Sequence, residues 1–287
     1  MDTLQEAFSK ARKRLSEAGI RDAAFDAAKI IEKHTGYKRH EIVLYGEKPF
    51  SGISSDFWAD IERRTRHEPL QYICGKWTFF DLDFFVGKGV LIPRPDTEVL
   101  CETVIPFLSE KKESKLLDLC SGSGCISTAI LKNVENCSAI CVELSDEALL
   151  YIRKNLEYHG LSDRAKIVKG DILAEQTAAQ LHFDFDAIVC NPPYIESGDI
   201  KTLEPEVAEF EPRLALDGGV DGLLFYRAAG LYLSHLKPGG IAAFEVGAGQ
   251  AGDVSNILGA CGFEKIFIKK DYAGIERVVG GFRTAKV

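Results

Sequence analysis

The 287-residue sequence lacks the patterns that mark metal, disulfide and membrane proteins. Its eight cysteines include no CxxC pair, and its six histidines form no HExxH motif or Cys/His cluster with metal-ligand spacing. No apolar run is long enough to cross a bilayer, and residues 1–8 carry acidic side chains, unlike a secretory signal. We therefore expect a cytoplasmic protein with reduced cysteines, without a metal ion and without membrane contact.

Basic charge is also scarce in this chain. There are 35 Lys and Arg residues against 43 Asp and Glu, which gives a net charge of −8 and a pI of about 5.4. Proteins that hold a phosphate backbone do so mainly with Lys and Arg, so we expect no stable binding to nucleic acid. The 46% hydrophobic content is ordinary for a globular protein, and the length is sufficient for two domains.

The first part of the chain has helical periodicity. Apolar residues recur every three or four positions between residues 3 and 67, with breaks at two glycines. A third helical stretch at residues 54–66 begins with a capping serine, which is Ser54 or Ser55. This pattern predicts a small bundle of helices at the N-terminus.

A change of pattern follows the helices. Residues 71–86 are rich in aromatic and β-branched side chains, and an interruption at residues 81–83 predicts that they form a β-hairpin. We expect this hairpin, at about residues 71–90, to link two domains. The first is a helical domain over residues 1–80, and the second covers residues 91–287.

Short apolar strands alternate with helices from Lys115 onward, and this alternation is typical of a doubly wound α/β sheet. A helix should precede the sheet, starting near Thr97 after the Pro-flanked residues 91–96. Helices should also cover residues 125–131 and 146–159, after the first two strands. The predicted strands lie at residues 116–120, 138–142, 165–168, 185–190, 240–245, 265–269 and 276–281.

Three of the strand ends carry groups that suit a nucleoside. Gly122 and Gly124 let the backbone approach a ligand, and Glu143 follows Gly124 by 19 residues, where an acid can bind a ribose diol. A dinucleotide is disfavoured, because Ser127 replaces the third glycine of GxGxxG and no phosphate-binding lysine follows the turn. With Asp171 available to an adenine amino group, the pattern favours S-adenosylmethionine. Taken singly, a GxG turn is most often only a tight strand-to-helix connection, and Glu143 or Asp171 alone is more often a solvated carboxylate at a strand end.

The segment Asn191-Pro192-Pro193-Tyr194 follows a buried strand, so it should lie at the sheet edge where open α/β sheets bind ligands. Asn191 has an acceptor oxygen, whereas the prolines contribute carbonyls but no N–H. A planar –NH2 group could donate to the Asn191 side chain and the Pro192 carbonyl, with Tyr194 on its flat face. Orienting an amide nitrogen in this way would help it to attack. The alternative is an Asx-Pro turn that merely ends a strand.

Several longer segments resemble the bacterial HemK-type family of glutamine methyltransferases, which modify peptide chain release factors. The resemblance runs nearly end to end and includes segments that a methyltransferase fold alone would not require. These segments are residues 68–75, 84–86, 90–98, 211–216, 218–219, 221–223 and 245–247, with Gln250, Asp271, Gly274 and Arg277. The resemblance implies a seven-stranded, Rossmann-like methyltransferase domain. It also implies methyl transfer from S-adenosylmethionine to the glutamine side-chain amide of the release factor's Gly-Gly-Gln loop, in support of translation termination.

The resemblance also assigns roles to individual residues. The expected catalytic residues are Asn191, Pro192 and Tyr194. The expected substrate-binding residues are Asn191, Pro192, Pro193 and Tyr194. The expected cofactor-binding residues are Cys120, Ser121, Gly122, Ser123, Gly124, Glu143, Asp171, Ile172 and Asn191. Three of these depart from the common family pattern: Cys120 stands where many relatives have glycine, Glu143 where aspartate is commoner, and Ile172 where some have tryptophan.

Two other functions share parts of this pattern. A DNA adenine methyltransferase could hold the exocyclic amine of a flipped base in the same clamp, but the negative net charge and the lack of a large basic recognition region argue against it. A non-catalytic binding module would keep the nucleoside-binding fold but would not need every clamp residue. We expect a monomeric enzyme whose helical domain recognises the protein substrate.

Overall fold

Residues 2–50, 55–181 and 184–284 are described by a computed structural model. Packing of the backbone divides the chain into two compact units. The first takes in the chain up to Lys76 together with Glu204–Phe210, and the second takes in Trp77–Leu203 and the chain from Glu211 onward. The predicted domain boundaries stay a prediction, and the membership of Glu204–Phe210 in the first unit is not visible in the sequence pattern.

The helices have well-defined sequence signals. α1 begins after Thr3, whose hydroxyl accepts from Glu6 N at 3.2 Å while the Glu6 carboxylate accepts from Thr3 N at 2.8 Å.

No helix in the described part of the chain is long and apolar enough to cross a membrane. In chain order the α-helices of the described residues are α1 (Leu4–Glu17), α2 (Ala23–Thr35), α3 (Arg39–Leu44), α4 (Ser55–Thr65), α5 (Leu70–Cys74), α6 (Glu98–Ser109), α7 (Cys125–Asn133), α8 (Asp146–Tyr158), α9 (Glu175–Ala179), α10 (Pro205–Ala208), α11 (Leu224–Ala229) and α12 (Ala251–Ala260). Short 3-10 helices lie at Pro95–Thr97, Ile200–Thr202, Arg213–Ala215 and Gly230–His235.

The first unit combines an apolar helical core with buried ion pairs. α1 buries Leu4, Ala7, Ala11 and Leu15. Arg64 is only 5% exposed, and it donates to Asp26 and to Glu206 at 2.6 Å each. Asp60, also buried, accepts from Lys33 Nζ at 2.6 Å. Buried charges require such partners, because an unpaired one would be strongly destabilising. The predicted helical domain is confirmed as helical.

A hairpin follows the first unit. Its strands are β1 (Lys76–Phe79) and β2 (Leu82–Phe85), which pair with each other. Phe80 and Asp81 form the turn, with φ of 51° and 58°. The predicted hairpin is therefore confirmed, although it is shorter than expected.

Four residues at the start of the predicted hairpin are helical instead. Residues 71–74 lie in α5, which begins after Pro69 and ends at Gly75 with φ of 73°. Proline before the first turn and a left-handed glycine after the last turn are helix boundaries, and here they outweigh the β-branched and aromatic content. Ser55 is the first residue of α4. The other possible cap, Ser54, lies outside the described residues.

The second unit contains a seven-stranded, mostly parallel sheet. The strands are β3 (Ser114–Leu119), β4 (Cys137–Glu143), β5 (Ala165–Lys169), β6 (Phe185–Cys190), β7 (Leu236–Glu245), β8 (Phe263–Lys270) and β9 (Glu276–Arg283). Their order in the sheet is β5-β4-β3-β6-β7-β9-β8, with β9 antiparallel to both β7 and β8. The doubly wound, seven-stranded fold predicted from the sequence is confirmed.

Helices cover both faces of this sheet. On one face α6, α7 and α8 bury Leu100, Ile130 and Ile152 in a shared core. On the other face α11 and α12 bury Tyr226 and Val254. The strand order reverses at β3, which has β4 on one side and β6 on the other. Ligands of open α/β sheets bind at the carboxyl ends of the strands that flank such a reversal.

Candidate active site

The carboxyl ends of β3, β4, β5 and β6 border one cavity of the second unit, together with residues of the arm before α6. Most of the predicted site residues line it. Those on its walls are Cys120, Ser121, Gly122, Ser123, Glu143, Asp171, Ile172, Asn191 and Pro193. Gly124, Pro192 and Tyr194 are not wall residues, but each directly adjoins one in sequence. The structure therefore brings the predicted residues together, while their individual roles stay predictions.

Glu143, the last residue of β4, is fixed by backbone donors at the cavity wall. Its Oε2 accepts from Gly122 N at 2.8 Å, and its Oε1 accepts from Leu144 N and Ser145 N at 2.8 Å each. Burial raises the pKa of Glu143, and the three N–H donors act in the opposite direction by favouring the charged form. A carboxylate has about four acceptor positions, so capacity remains for a ribose hydroxyl.

The turn after β3 has three residues in the left-handed region: Cys120 and Gly122 at φ of 56° and Gly124 at 76°. Glycine adopts this conformation freely, whereas for an L-residue with a Cβ it costs about 1 kcal/mol. A Cβ on Gly124 would lie 3.3 Å from Ile152 Cγ2, so that glycine also permits close packing. A glycine at position 120 would adopt the conformation of this turn without that cost.

Asp171 and Ile172 follow β5 and supply a carboxylate beside an apolar wall. Asp171 Oδ1 accepts from Leu173 N at 2.9 Å, which fixes the carboxylate. Ile172 is 4% exposed and belongs to the core beside the sheet. Other apolar wall residues include Val90, Leu91, Ala148 and Leu214. A flat base with an amino group at its edge suits such a combination of apolar surface and a few placed acceptors.

Asn191 directly follows β6 and lies on the wall of the same cavity. Its Nδ2 donates to Thr97 Oγ1 at 3.2 Å. Because the amide nitrogen is bound in this way, the carboxamide oxygen is the group that can accept from a ligand. The Asx-turn alternative does not explain this contact, which joins residues 94 positions apart.

Tyr194 is held by side chains and glycines of the second unit. Its Oη donates to Glu245 Oε1 at 3.4 Å, and its carbonyl oxygen accepts from Gln250 Nε2 at 2.9 Å. A Cβ on Gly218 would lie 2.7 Å from Tyr194 Cα, so only glycine fits there without a shift. Burial raises the pKa of Tyr194, which keeps the phenol protonated as a donor. The expected packing of its ring on a substrate amide stays a prediction.

Sequence reasoning assigned no role to several residues that build this site. Glu211 is 6% exposed, accepts from Ile92 N at 3.1 Å and pairs with Arg94. This pairing joins the arm at residues 90–98 to residues 211–216, and both segments contribute to the cavity wall. The same two segments are among those that carry the family resemblance. The sequence therefore marked them as typical of the family but did not indicate that they build the cavity wall. Thr97 and Glu245 were missed for the same reason.

Two carboxyl groups are buried beside the site. Asp118 and Glu245 are 0% and 1% exposed, and burial raises the pKa of each to about 7. Asp118 accepts from the Ser127 hydroxyl, and Glu245 accepts from Tyr194. Within the described ranges no three His, Cys, Asp or Glu side chains are grouped as metal ligands, and the expected lack of a metal stays a prediction.

The fold and the cavity together define a Rossmann-like methyltransferase, a class whose members use S-adenosylmethionine. Residues 6–75 match the family described as the PrmC N-terminal domain, and residues 96–211 match the methyltransferase small domain. The chain belongs to the release factor glutamine methyltransferase family, which confirms the predicted family.

Two relatives show this membership across almost the whole chain. The release factor glutamine methyltransferase of Caulobacter vibrioides is 39% identical over 98% of this chain and 96% of its own length. That of Geobacter sulfurreducens is 38% identical over 97% of this chain and 96% of its own length. A solved methyltransferase from Pyrococcus furiosus is 19% identical, covers 72% of this chain and 91% of that chain, and has a TM-score of 0.53. The last comparison supports the fold alone.

Proposed function

We propose that this chain transfers a methyl group from S-adenosylmethionine to the side-chain amide nitrogen of the glutamine in the Gly-Gly-Gln motif of peptide chain release factors. This modification supports translation termination. The observation that carries the proposal is the position of Asn191 on the wall of the same cavity as Gly122, Glu143 and Asp171. One cavity thus combines a wall suited to a nucleoside with an acceptor suited to an amide. The family of the chain supports the choice of substrate.

The cofactor-binding part of the cavity fits a nucleoside without phosphates. Glu143 would accept from the ribose hydroxyls, and Asp171 would accept from the adenine amino group beside the apolar surface of Ile172. The backbone of the turn after β3 would pass close to the ligand; this turn consists of Cys120, Ser121, Gly122, Ser123 and Gly124. When bound, the cofactor supplies an electrophilic methyl group on a sulfonium, whose thioether leaves unprotonated. The chain therefore needs no general acid, and S-adenosylhomocysteine is the second product.

The amide-binding part would hold the reacting nitrogen. Asn191 Oδ1 and the Pro192 carbonyl would accept its two hydrogens, with Pro193 on the cavity wall and Tyr194 on the flat face of the amide. An amide lone pair is delocalised, so drawing the hydrogens out of the conjugated plane frees it to attack. The lone pair forms the N–C bond as the S–C bond breaks. One N–H proton then passes to solvent, which restores a neutral amide.

The test is incorporation of label from methyl-labelled S-adenosylmethionine. We expect label in an intact release factor and none in the same factor with its Gly-Gly-Gln glutamine replaced by alanine. Duplex DNA and a reaction without substrate serve as controls. Label in DNA, or equal label in the alanine-substituted factor, would overturn the proposed substrate. The expected monomeric state, cytoplasmic location and lack of stable nucleic-acid binding stay predictions.

The helical domain, residues 1–80, is proposed to recognise the rest of the release factor, because a single glutamine amide offers too few atoms for tight binding. A fragment beginning at Trp77 should still bind S-adenosylmethionine in calorimetry, since every cavity residue lies after this point. Its kcat/KM on intact release factor should fall by about 100-fold or more. A folded fragment that methylates the factor at the full-length rate would disprove recognition. Loss of folding or of cofactor binding, seen by circular dichroism and titration, would show that the domain stabilises the enzyme.

A further inference from the structure

We infer that Arg94 binds the carboxylate at the amino-acid end of S-adenosylmethionine. The inference rests on the proposed function, because it concerns the cofactor of the same reaction. The proposed contacts of Glu143 and Asp171 account for the ribose and the adenine, but they leave the amino-acid end of the cofactor without a partner. None of the residues expected from the sequence to bind the cofactor carries a positive charge.

The charges on the cavity wall are unequal. Among the wall residues of the described chain, Arg94 is the only Lys, Arg or His, whereas Glu143 and Asp171 supply two carboxylates. S-adenosylmethionine carries a sulfonium and an ammonium group, which suit an acidic wall, and it also carries one carboxylate. Acidic side chains repel that carboxylate, so it requires a cation close by. Arg94 is the wall residue that supplies one.

The place of Arg94 in the fold suits the amino-acid end of the cofactor. Along the strand order β5-β4-β3-β6, Asp171 follows β5, Glu143 ends β4 and Asn191 follows β6. The sulfonium joins the ribose, the methyl group and the amino-acid chain, so this chain starts beside the methyl group that must reach Asn191. Thr97, three residues after Arg94, accepts from Asn191 Nδ2 at 3.2 Å. The arm that carries Arg94 therefore lies at the end of the cavity where the amino-acid chain belongs.

Glu211 holds the guanidinium of Arg94 at this position. Its Oε1 accepts from Arg94 Nη2, and its Oε2 accepts from Ile92 N at 3.1 Å. The arm is also held at Asp96, whose Oδ2 lies 3.4 Å from Arg277 Nη2. A guanidinium is planar and has five N–H donors, so it can bind one carboxylate and keep donors for a second. An arginine held in this way loses little freedom when the ligand binds.

The alternative is an ion pair that only fastens the arm. In such a pair both partners can be buried, as Arg64 and Asp26 are in the first unit. The pair of Arg94 and Glu211 is different, because the Glu211 side chain is 1% exposed whereas that of Arg94 is 35% exposed. The carboxylate thus lies in the protein interior and the guanidinium lies on the cavity wall, where a ligand can reach its remaining donors.

The first experiment compares two ligands by calorimetry. S-adenosylhomocysteine has the carboxylate, and S-adenosyl-3-thiopropylamine is the same molecule without it. Neither ligand can transfer a methyl group, so binding is measured apart from activity. Wild type should prefer S-adenosylhomocysteine by about 10- to 150-fold, the range for charge-assisted hydrogen bonds.

Arg94→Met keeps the length of the side chain and removes its charge. This variant should reduce the preference to about threefold or less, while the affinity for the amine stays within about threefold of wild type. The preference is lost because the carboxylate no longer has a cation beside it. A folded Arg94→Met protein that keeps the wild-type preference would overturn the inference.

The matched control is Arg227→Met. Arg227 pairs with Asp221 at 2.5 Å, and in the described part of the chain it is not a wall residue of the cavity. This substitution also removes an ion-paired arginine from the second unit, and it should leave the preference at the wild-type value. Equal losses of preference in the Arg94 and Arg227 variants would overturn the inference.

A second variant separates ligand binding from stability. Arg94→Met leaves the buried carboxylate of Glu211 without its cation, so this variant should be less stable than wild type. The double variant Arg94→Met/Glu211→Gln removes both charges and should recover stability, as measured by circular dichroism during heating. It should still lack the preference for the carboxylate. A double variant that is stable and regains the preference would show that Arg94 acts only through the fold, which would overturn the inference.

The outcomes also separate the inference from the proposed function. If wild type binds neither ligand, both fail. If wild type binds S-adenosylhomocysteine with a preference that Arg94→Met does not change, the inference alone fails. If Arg94→Met loses the preference but wild type methylates no release factor, the proposed substrate fails and the carboxylate site stands.

Discussion

The two halves of the cavity are built differently. On the cofactor side, the Glu143 carboxylate is satisfied by backbone N–H groups of the adjacent turn and of the next two residues. On the amide side, Asn191 and Tyr194 are satisfied by Thr97 and Glu245, side chains from distant parts of the chain. Backbone donors are fixed once the fold forms, whereas side-chain donors depend on packing and on the direction of a proton. We therefore expect substitutions on the amide side to reduce activity more than substitutions on the cofactor side reduce cofactor affinity.

The largest effect should come from Asn191→Ala. Loss of a positioning acceptor removes several kcal/mol of transition-state stabilisation, so kcat should fall about 1,000-fold while cofactor affinity changes only a few-fold. The control is Asn133→Ala, at an exposed position of α7 where, among the described residues, the Asn133 side chain donates only to the Ala129 carbonyl of its own helix. Labelled-methyl transfer and calorimetry give the two quantities. If Asn191→Ala keeps a kcat close to that of wild type, Asn191 has no part in the mechanism, and the contrast between the amide side and the cofactor side is weakened.

The pH dependence of stability should reveal the buried carboxyl on the amide side. Burial raises the pKa of Glu245 from 4.5 to about 7, so the folded state binds more protons than the unfolded state between these values. The free energy of unfolding should therefore decrease as pH rises from about 4.5 to about 7, by about 3 kcal/mol for this group. Asp118, with a pKa also raised by burial to about 7, should contribute in the same direction.

Urea unfolding of wild type and Glu245→Gln across this pH range measures the contribution of Glu245. The slope with pH should be smaller in the variant because one of the two groups is removed. Glu264→Gln, at an exposed position of β8, should leave the slope unchanged. Identical slopes in wild type and Glu245→Gln would show that Glu245 does not titrate in this window.

On the cofactor side, Glu143→Ala should weaken S-adenosylmethionine chiefly through the lost bond to the ribose. Charge-assisted hydrogen bonds contribute roughly 1.5–3 kcal/mol, which corresponds to about 10- to 150-fold in affinity. Asp171→Ala should act similarly through the adenine amino group. Glu157→Ala, at an exposed position of α8, is the control. Calorimetry that finds unchanged affinity in a folded Glu143→Ala protein would contradict the assignment.

The smallest effect should be a gain of stability in Cys120→Gly. Cys120 has φ of 56°, which costs an L-residue about 1 kcal/mol and glycine almost nothing. The free energy of unfolding should therefore rise by about 1 kcal/mol, with cofactor affinity maintained. Cys120→Ala keeps a Cβ and serves as the control, because it should give no such gain. Equal stability of the two variants would show that the turn is not strained at this position.

The contrast between the two sides also explains which residues could be found from the sequence. Gly122, Glu143 and Asp171 were identified because each lies at or shortly after the carboxyl end of a strand, and the ends of parallel strands meet at one edge. The boundary of α5 was missed because the β-branched content of residues 71–74 outweighed the proline and glycine that enclose them. Thr97 was expected only to mark the start of a helix.

The sequence by itself determined the doubly wound sheet, the family and the convergence of the cofactor residues. Strand periodicity and the positions of strand ends are local properties of the sequence, and they do not depend on how the helices pack against a sheet of this topology. Only the tertiary structure decided that Asn191 meets Thr97, that Tyr194 meets Glu245 and that Glu204–Phe210 packs with the first unit. These contacts join residues far apart in the chain, and their geometry depends on how the helices pack against the sheet. The same packing decides which donors and acceptors are excluded from water, and it therefore also decides the direction of the hydrogen bonds in a buried network.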